Sequence, residues 1–493
     1  MNLSALLVIP LLTALVILLM RRPQQVRWVA LLGAIVQCLF CFILVAAYKK
    51  EHSTSPADIM YFVQEFDWLP AWNISYKLGV DGISIAMILL TAFVVLSGVL
   101  VSWNVGNMTK EFYFLLILLS LGAYGFFLSL DLFMLFFFLE IAVIPKYLLI
   151  GIWGSGKKEY SANKLALMLM AGSALVLVGI LALYFTSPDK TFDLVKLSQL
   201  RLSIRTQEIF FPFLFVGFGI FTALFPFHTW VPDGHSSAPT AGSMFLAGIS
   251  MKLGSYGCLR VATFLMPDAA REYSPVIIVL SCIAILYGAF ATMMQKDLKY
   301  LNAYSSVSHC GFILLGIGML TKTAMIGSVM QMVSHGLMTA LFFAVIGMVY
   351  DRTHTRLINE MGGLMKVMPM ISTAFFIAGL CSLGLPGLSG FAAEITIFIG
   401  SWQHPGIFYR TATIIACMSI VVTAVYILRA ISQTLMGPLK NPAYSSLKDA
   451  TWNERIAAIV LIAGILFIGL APHWLNDLVN GGVDIIAGRF LSK

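Results

Sequence analysis

The stretch FVGFGIFTALFPFHTWVPDGHSSAPTAGSMF (residues 215–245) combines an apolar helix pattern with a polar, proline-containing interruption. A second apolar run, residues 367–402, is too long for one membrane span and is broken within SLGLPGLSGF (382–391). Helix breaks at membrane depth free backbone carbonyl and amide groups, and they are typical of ion pathways in transport proteins. The alternative is that proline and glycine serve only as packing devices. Because two such breaks occur, we interpret both as functional discontinuous helices.

The composition of the whole chain agrees with a membrane location. Of its 493 residues, 59% are hydrophobic and only 11% are charged, and the mean hydropathy is +0.90. An ordinary soluble domain is roughly 25% charged, so this chain has too few charges to cover a surface in water. The composition excludes a soluble enzyme, a disordered chain and a nucleic-acid-binding protein. It predicts an all-α polytopic protein in the lipid bilayer.

The apolar runs predict about 14 transmembrane helices. Residues 209–248 and 249–266 are assigned to spans 7 and 8, with the first break inside span 7, and the second break falls in span 12. The broken spans stand five apart, and because five is odd, a repeated five-span unit must occur in opposite orientations. We therefore predict two inverted repeats within four parts: spans 1–3 (1–111), spans 4–8 (112–266), spans 9–13 (267–431), and span 14 with a tail (432–493).

Lysine and arginine residues are concentrated in the links that follow odd-numbered spans, for example Arg21, Arg22, Lys157 and Lys158. Such residues accumulate on the cytoplasmic side of membrane proteins. We therefore predict that these links are cytoplasmic and that both termini are outside. The net charge of +8 then reflects topology and not a nucleic-acid partner. The first apolar run has no basic leader or small-residue cleavage site, and we expect it to be a retained span.

Ionisable residues are rare inside the apolar runs, and each is expensive there unless it is paired or hydrated. Acids and bases with shifted proton affinities at one membrane depth can pass protons across the bilayer. The alternative is that each is a hydrogen-bonding anchor between helices, which is most plausible for His335, and we assign His309 to that class. The candidate site residues are Glu140 and Lys146 in span 5, His228 and His235 around the first break, Lys252 in span 8, His335 in span 11, and Glu394 after the second break.

No motif for another chemistry is present. The sequence contains no P-loop, no GxGxxG opening a helix, no HExxH, and no Cys/His cluster with metal-ligand spacing. Cys38 and Cys41 form a CxxC, but they lie inside an apolar run without a second pair, and we interpret them as small buried hydrophobic residues. We therefore expect no metal and no cofactor in this chain.

Several of these stretches resemble one known family. FPFHTWVPDGHSSAPTAGS (225–243) is similar to the signature of the antiporter-like subunits of respiratory complex I, and the resemblance is strongest to the subunit M group, the homologues of mitochondrial chain 4. It extends over residues 75–435 and is weak at both ends. The supporting stretches are LGVDGIS (78–84), FFFLEIAVIP (136–145), KDLKYLNAYSSVSHCGF (296–312) and SLGLPGLSGF (382–391).

The resemblance implies a proton-translocating subunit of NADH:quinone oxidoreductase, multi-pass in the bacterial inner (plasma) membrane. NADH, FMN, iron–sulfur clusters and quinone are then expected on other subunits. The expected partners are other complex I membrane subunits, especially two homologous antiporter-like neighbours. By position in the family pattern, the resemblance assigns proton-carrying roles to Glu140, Lys252 and Glu394, and it places His228, His235 and His335 along the polar axis.

One position departs from the family pattern. The family has a lysine in broken helix seven, paired with the helix-five glutamate, but this chain has Phe221 there and no Lys or Arg in 209–234. Instead Lys146 follows Glu140 on span 5. Residues six apart do not share a face of a straight helix, but Pro145 can bend this one. Our hypothesis is that Lys146 replaces the missing base; the alternative is that it snorkels or faces water.

Three other classes of protein remain as alternatives. A subunit of a multi-chain cation/proton antiporter shares the broken-helix fold, and so does the membrane arm of a membrane-bound hydrogenase complex. A purely structural membrane scaffold is disfavoured because four charged residues, Glu140, Lys146, Lys252 and Glu394, lie within the apolar runs.

Overall fold

The computed structural model describes residues 1–55 and 58–491, and most of them are helical. The first part of the chain forms α1 (Ala5–Leu19), α2 (Pro23–Thr54), α3 (Gly82–Val101), α4 (Thr109–Leu128), α5 (Leu132–Ile141), α6 (Val143–Trp153), α7 (Lys158–Thr186) and α8 (Leu194–Gln199). The middle part forms α9 (Ile204–Thr222), α10 (Trp230–Ser237), α11 (Thr240–Phe245) and α12 (Met251–Gly257).

The last part of the chain forms α13 (Pro267–Met293), α14 (Leu298–Gly318), α15 (Lys322–Thr353), α16 (Pro369–Ser382), α17 (Ser389–Trp402), α18 (Ile407–Leu435), α19 (Trp452–Leu470) and α20 (Pro472–Leu491). Short 3₁₀ turns cover Pro70–Trp72, Ser102–Asn104, Ile358–Glu360, Leu364–Lys366 and Pro442–Ser446. Strands β1 (Tyr61–Leu69) and β2 (Ile74–Val80) pair antiparallel in a hairpin, with Glu65 opposite Lys77.

Ten helices in the described part of the chain are long and apolar enough to cross a membrane, counting α5 with α6 as one. The predicted all-α polytopic class is therefore confirmed. The predicted number of 14 spans stays a prediction, because α1 and α16 are shorter than that criterion requires and the broken helices are divided into pieces. The division into four parts also stays a prediction, and α18 continues to Leu435, past the proposed boundary at 431.

Both predicted helix breaks are confirmed. Helix α9 ends at Thr222, Ala223 adopts a left-handed conformation (φ 72°), and α10 begins at Trp230. Helix α16 ends at Ser382, and α17 begins at Ser389 after a turn with two glycines at positive φ. Residues 223–229 and 383–388 therefore interrupt the seventh and twelfth spans.

The predicted boundary between spans 7 and 8 is wrong by about ten residues. The structure separates the two spans at Ala238 and Pro239, and the helix that carries Lys252 already begins at Thr240. Proline removes a backbone donor and forces the preceding residue into an extended conformation, and Ala238 is extended (φ −63°, ψ 149°). Apolar residues on both sides of this turn concealed it in the hydropathy pattern.

The span that carries Lys252 is not a uniform α-helix. Between α11 and α12 the chain makes a π-helical turn at Leu246–Ser250, and a second π-helical turn follows α12 at Cys258–Thr263. Such turns are rare and occur frequently at functional sites. Lys252 therefore lies in a short α-helical segment bounded by wider turns.

An internal symmetry supports the inverted repeats. Asp131 caps the start of α5 and forms a β-bridge with Asp193, in the link that follows the sixth span. Asp297 caps the start of α14 and forms the same kind of bridge with Leu357, in the link that follows the eleventh span. In both places an Asp-Leu pair opens the helix. The two sites are five spans apart, as the repeat requires.

Candidate functional site

The centre of the site is a pair of basic side chains. Lys252 is 0% exposed, and its Nζ donates to the carbonyl of Ala247 over 2.6 Å and lies 2.6 Å from Nδ1 of His335. A hydrogen bond between these two nitrogens requires one of them to offer a lone pair, and which one does so depends on their protonation. The other ring nitrogen, Nε2, has no hydrogen-bond partner among the described residues.

The row continues from His335 to a carboxylate through His309. The two imidazole centroids are 5.4 Å apart, and Nδ1 of His309 lies 3.3 Å from Oε1 of Glu394. The ring is held by Ser382 at Nε2 (3.0 Å) and by the Gln331 amide at Nδ1 (3.2 Å). His309 therefore lies between the lysine–histidine pair and the acid. The sequence analysis assigned His309 to the class of hydrogen-bonding anchors and did not foresee this position.

Glu394 is positioned by the second helix break. It lies on the second turn of α17, directly after residues 383–388, and it is buried. Its Oε2 lies close to Gly384, whose φ is +74°. A Cβ at Gly384 would stand 2.8 Å from that oxygen. The break thus places a glycine, which has no side chain, next to the carboxylate of Glu394.

On the other side of Lys252, buried groups lead toward the predicted cytoplasmic face. His235 is fully buried in α10, close enough to Lys252 and Lys299 for electrostatic interaction. Neither of its ring nitrogens has a hydrogen-bond partner in residues 1–55 and 58–491. Nζ of Lys299 donates to the carbonyl of Ala238 over 2.7 Å. The sequence analysis did not include Lys299 among the candidate site residues, because nothing in the neighbouring sequence signals its burial.

A polar cavity of about 600 Å³ lies next to the segments that carry His235 and Lys299. Tyr300 and Arg356 line it, and Arg356 donates to the carbonyl of Ser236 over 2.8 Å and pairs with Asp297 at 3.1 Å. Asp233, also in the lining, pairs with Lys164 at 2.7 Å. Lys157 and Arg356 in its lining belong to links predicted to be cytoplasmic, and Ser236 and Tyr300 are the chain neighbours of His235 and Lys299. The cavity therefore lies on the predicted cytoplasmic side of the buried row.

Glu140 and Lys146 form a second group on the fifth span. The span is interrupted at Ala142, three residues before Pro145, which lacks the amide hydrogen that a continuous helix would use. Lys146 is 1% exposed, and its Nζ lies 5.9 Å from the ring centroid of Phe221. Glu140 and Lys146 interact electrostatically, yet neither Nζ nor Oε1 has a hydrogen-bond partner in the part of the chain that the structure describes.

His228 stands apart from both groups. It is buried in the first break, where its ring stacks on Phe225 (5.4 Å between centroids) and meets the edge of Tyr287 (4.9 Å). Its Nδ1 has no hydrogen-bond partner among the residues described. The structure therefore brings Lys252, His335 and Glu394 into one row, places His235 next to it, and leaves His228 and the Glu140–Lys146 pair beside it.

Metal ligation finds no support in this arrangement. Within residues 1–55 and 58–491, no group of three or more His, Cys, Asp or Glu side chains is arranged to hold a metal ion. The row is instead built from groups that gain and lose protons. The prediction that this chain carries no cofactor stays a prediction.

Two broken helices around a buried row of lysine, histidine and glutamate define the class of antiporter-like membrane subunits. The chain belongs to the family described as NADH:quinone oxidoreductase/Mrp antiporter, transmembrane, whose model matches residues 129–421. Relatives that match nearly the whole chain are named as chain 4 of NAD(P)H-quinone oxidoreductase.

Chain 4 2 of NAD(P)H-quinone oxidoreductase from Microcystis aeruginosa is 36% identical over 502 residues, covering 96% of this chain and 90% of that protein. Chain 4 of NAD(P)H-quinone oxidoreductase from Gloeobacter violaceus is 34% identical, covering 98% and 92%. The predicted family resemblance is therefore confirmed, and with it the general class of function, a proton-translocating membrane subunit.

Solved structures agree with this assignment. A chain of respiratory complex I from Thermus thermophilus with bound NADH superposes with a TM-score of 0.90 at 25% identity, covering 99% of both chains. A chain of the Mrp complex from Dietzia sp. has the same fold, with a TM-score of 0.86 at 19% identity, covering 98% of this chain and 97% of that one.

Proposed function

We propose that this chain translocates protons as a membrane subunit of NADH:quinone oxidoreductase in the bacterial plasma membrane. The observation that carries the proposal is the buried row Lys252–His335–His309–Glu394, in which the first two groups lie 2.6 Å apart and the last two 3.3 Å apart. Oxidation of NADH and reduction of quinone take place on other subunits, which hold FMN and iron–sulfur clusters. This chain contributes the proton path.

A proton enters from the polar cavity beside Tyr300 and Arg356 and reaches Lys299 and His235. It continues to Lys252, whose ammonium donates to Nδ1 of His335. His309 relays it to Glu394, the acid nearest to the predicted outer exit. Each member is buried, and a buried charge is stable only while a neighbour compensates it. Proton arrival at one member therefore changes the proton affinity of the next.

Lys146 acts as the base that the family carries on the seventh span. Its Nζ lies against Phe221, the residue that replaces the family lysine, and it interacts with Glu140. From this position the ammonium attracts the carboxylate of Glu140, and its displacement weakens that attraction. Glu140 is thereby coupled to events elsewhere in the complex, through the two homologous antiporter-like neighbours that we propose as partners.

Substitution of the central lysine tests the proposal. In purified complex reconstituted into proteoliposomes, Lys252→Met is expected to lower NADH-driven proton uptake by about tenfold or more, because positioned acid–base groups typically contribute at least that much. Lys366→Met is the matched control, since Lys366 is exposed in a loop. Proton uptake that is unchanged in assembled Lys252→Met complex would refute the proposal.

A further inference from the structure

A second polar cavity lies at the opposite end of the molecule from Tyr300 and Arg356. It has a volume of about 390 Å³ and is formed by the end of α2, the start of α3 and helix α20. These elements belong to the link between spans 2 and 3 and to the C-terminal segment, both predicted to be outside. Four of its twelve lining residues are acidic, namely Asp58, Asp81, Asp477 and Asp484, and Tyr48 and His52 also line it.

At the inner end of this cavity lies a buried ion pair between Asp81 and Arg260. Their side chains are 2% and 1% exposed. Asp81 also caps α3 by accepting from the backbone amide of Ser84 over 2.9 Å. In the described part of the chain, Nε and Nη1 of Arg260 have no hydrogen-bond partner. A buried guanidinium with two unused donors is costly, so packing of α3 alone does not account for an arginine at this place.

Hydroxyl groups lead from the ion pair toward the central lysine. The hydroxyl of Tyr256 lies 3.0 Å from Oγ of Ser84, which in turn donates to Oδ1 of Asp81 over 3.0 Å. Tyr256 follows Lys252 by one turn of α12, and Arg260 follows by a further turn inside the second π-helical segment. All of these side chains are buried. A chain of polar contacts thus joins Tyr256 to the outer cavity through Ser84 and Asp81, and Lys252 lies one turn before Tyr256 on the same span.

We propose that this chain of polar contacts is an outer proton outlet of the first five-span repeat, with the Asp81–Arg260 ion pair as its gate. The inference rests on the proposed function of Lys252. The ammonium of Lys252 gives its proton through one water molecule to Tyr256, and the hydroxyls of Tyr256 and Ser84 each accept one proton and pass one on. Asp81 accepts the proton, which neutralises the carboxylate and releases Arg260. Transfer from Asp81 to water in the cavity restores the ion pair.

The charges around the outlet favour release to the outside. Asp58 and Asp477 lie in the cavity lining, and Asp484 is paired with Lys322 at 2.5 Å. His52 is hydrogen-bonded to the hydroxyl of Tyr61 at 2.7 Å. A cleft lined by carboxylates concentrates cations, so a proton leaving Asp81 enters water that stabilises it.

Cysteine labelling tests whether the cavity is an outlet. Asn480, which lines the cavity on α20, is replaced in Asn480→Cys, and the purified complex is treated with sulfonatoethyl methanethiosulfonate before reconstitution. Labelling is expected to lower NADH-driven proton uptake without abolishing it, because the adduct fills one of the two routes that lead outward from Lys252. Background reaction is small, since six of the seven native cysteines are buried. Gly488→Cys is the control, because among the described atoms that position on α20 faces open space.

A neutral double variant separates the gate from a structural ion pair. Asp81→Asn keeps a good helix cap, and together with Arg260→Gln it leaves no buried charge. If the ion pair is merely structural, this replacement preserves proton uptake, and that result would overturn the proposal. Normal uptake in fully labelled Asn480→Cys complex would overturn it as well. Lys252→Met distinguishes the two failures. If it abolishes uptake while labelling has no effect, only the outlet is wrong; if it has no effect, the proposed function itself fails.

Discussion

Nζ of Lys252 and Nδ1 of His335 are joined by a 2.6 Å contact between two bases. The hydrogen bond requires one of the two nitrogens to offer a lone pair to a hydrogen on the other. An ammonium beside an imidazolium has no such lone pair, so protonation of both groups would break the contact. A lysine–carboxylate pair has no such restriction, because an ionised carboxylate only accepts.

The base on span 5 can be tested by moving it. Lys146→Met is expected to lower proton uptake by about tenfold or more, with assembly intact, because Glu140 loses its cationic neighbour. Adding Phe221→Lys returns an ammonium group to the seventh span, within reach of the place where Nζ of Lys146 now lies, 5.9 Å from the Phe221 ring. The double variant should regain much of the uptake, measured as quenching of a pH-sensitive dye in proteoliposomes.

Two results would contradict this account. Normal uptake in assembled Lys146→Met complex would show that the lysine is dispensable. The second result is a Lys146→Met/Phe221→Lys complex that assembles and reduces quinone with uncoupler present but does not regain proton uptake. It would show that the positive charge must stand on α6, at the place of Lys146, and that charge alone is not enough.

The relay role of His309 predicts a loss that depends on its ring. His309→Gln keeps a polar side chain beside Ser382 and Gln331 but removes the titratable imidazole between His335 and Glu394. Proton uptake should fall by about tenfold. His404→Gln is the control, since His404 lies near the end of the twelfth span, where it stacks on Tyr409 and accepts from the Gly406 amide over 3.4 Å. Equal uptake in the two variants would remove His309 from the path.

A pair of glycines in the second break tests the position of Glu394. Gly384 and Gly387 both have positive φ, +74° and +92°, so alanine at either site adds a similar strain of roughly 1–2 kcal/mol. Only at Gly384 does the new Cβ meet the Glu394 carboxylate; Gly387 has no described atom within 4 Å of that point. Gly384→Ala should therefore impair uptake several-fold more than Gly387→Ala. Equal effects would mean that strain alone is responsible.

Much of the architecture could be predicted from the sequence because a bilayer imposes simple rules. Apolar runs marked the spans, and the two breaks were visible as proline and glycine inside them. The same rules revealed Lys252 and Glu394, since a charge in an apolar run is conspicuous. The structure then brings both into one row with His335, as the polar axis implied by the resemblance required.

The remainder depended on packing that leaves no local signal. Lys299 and Arg260 look like residues of helix ends, and only the tertiary structure shows that they are buried. His309 was assigned a structural role because nothing in its neighbours along the chain distinguishes an anchor from a relay. The β-hairpin lies in a polar link, and α20 mixes polar with apolar residues, so hydropathy is uninformative for both. The turn at Pro239 was concealed for the opposite reason, since apolar residues continue on both sides of it.

The two π-helical turns that enclose Met251–Gly257 also have a mechanical consequence. A π turn contains one residue more than an α turn and has weaker, exchangeable hydrogen bonds. Rotation of the enclosed segment would tighten one wide turn while loosening the other, so that both ends of the span would keep their positions. Lys252 would then move between the His335 side and the Tyr256 side. The central lysine would contact only one of the two polar rows at a time, which would prevent a proton leak across the membrane.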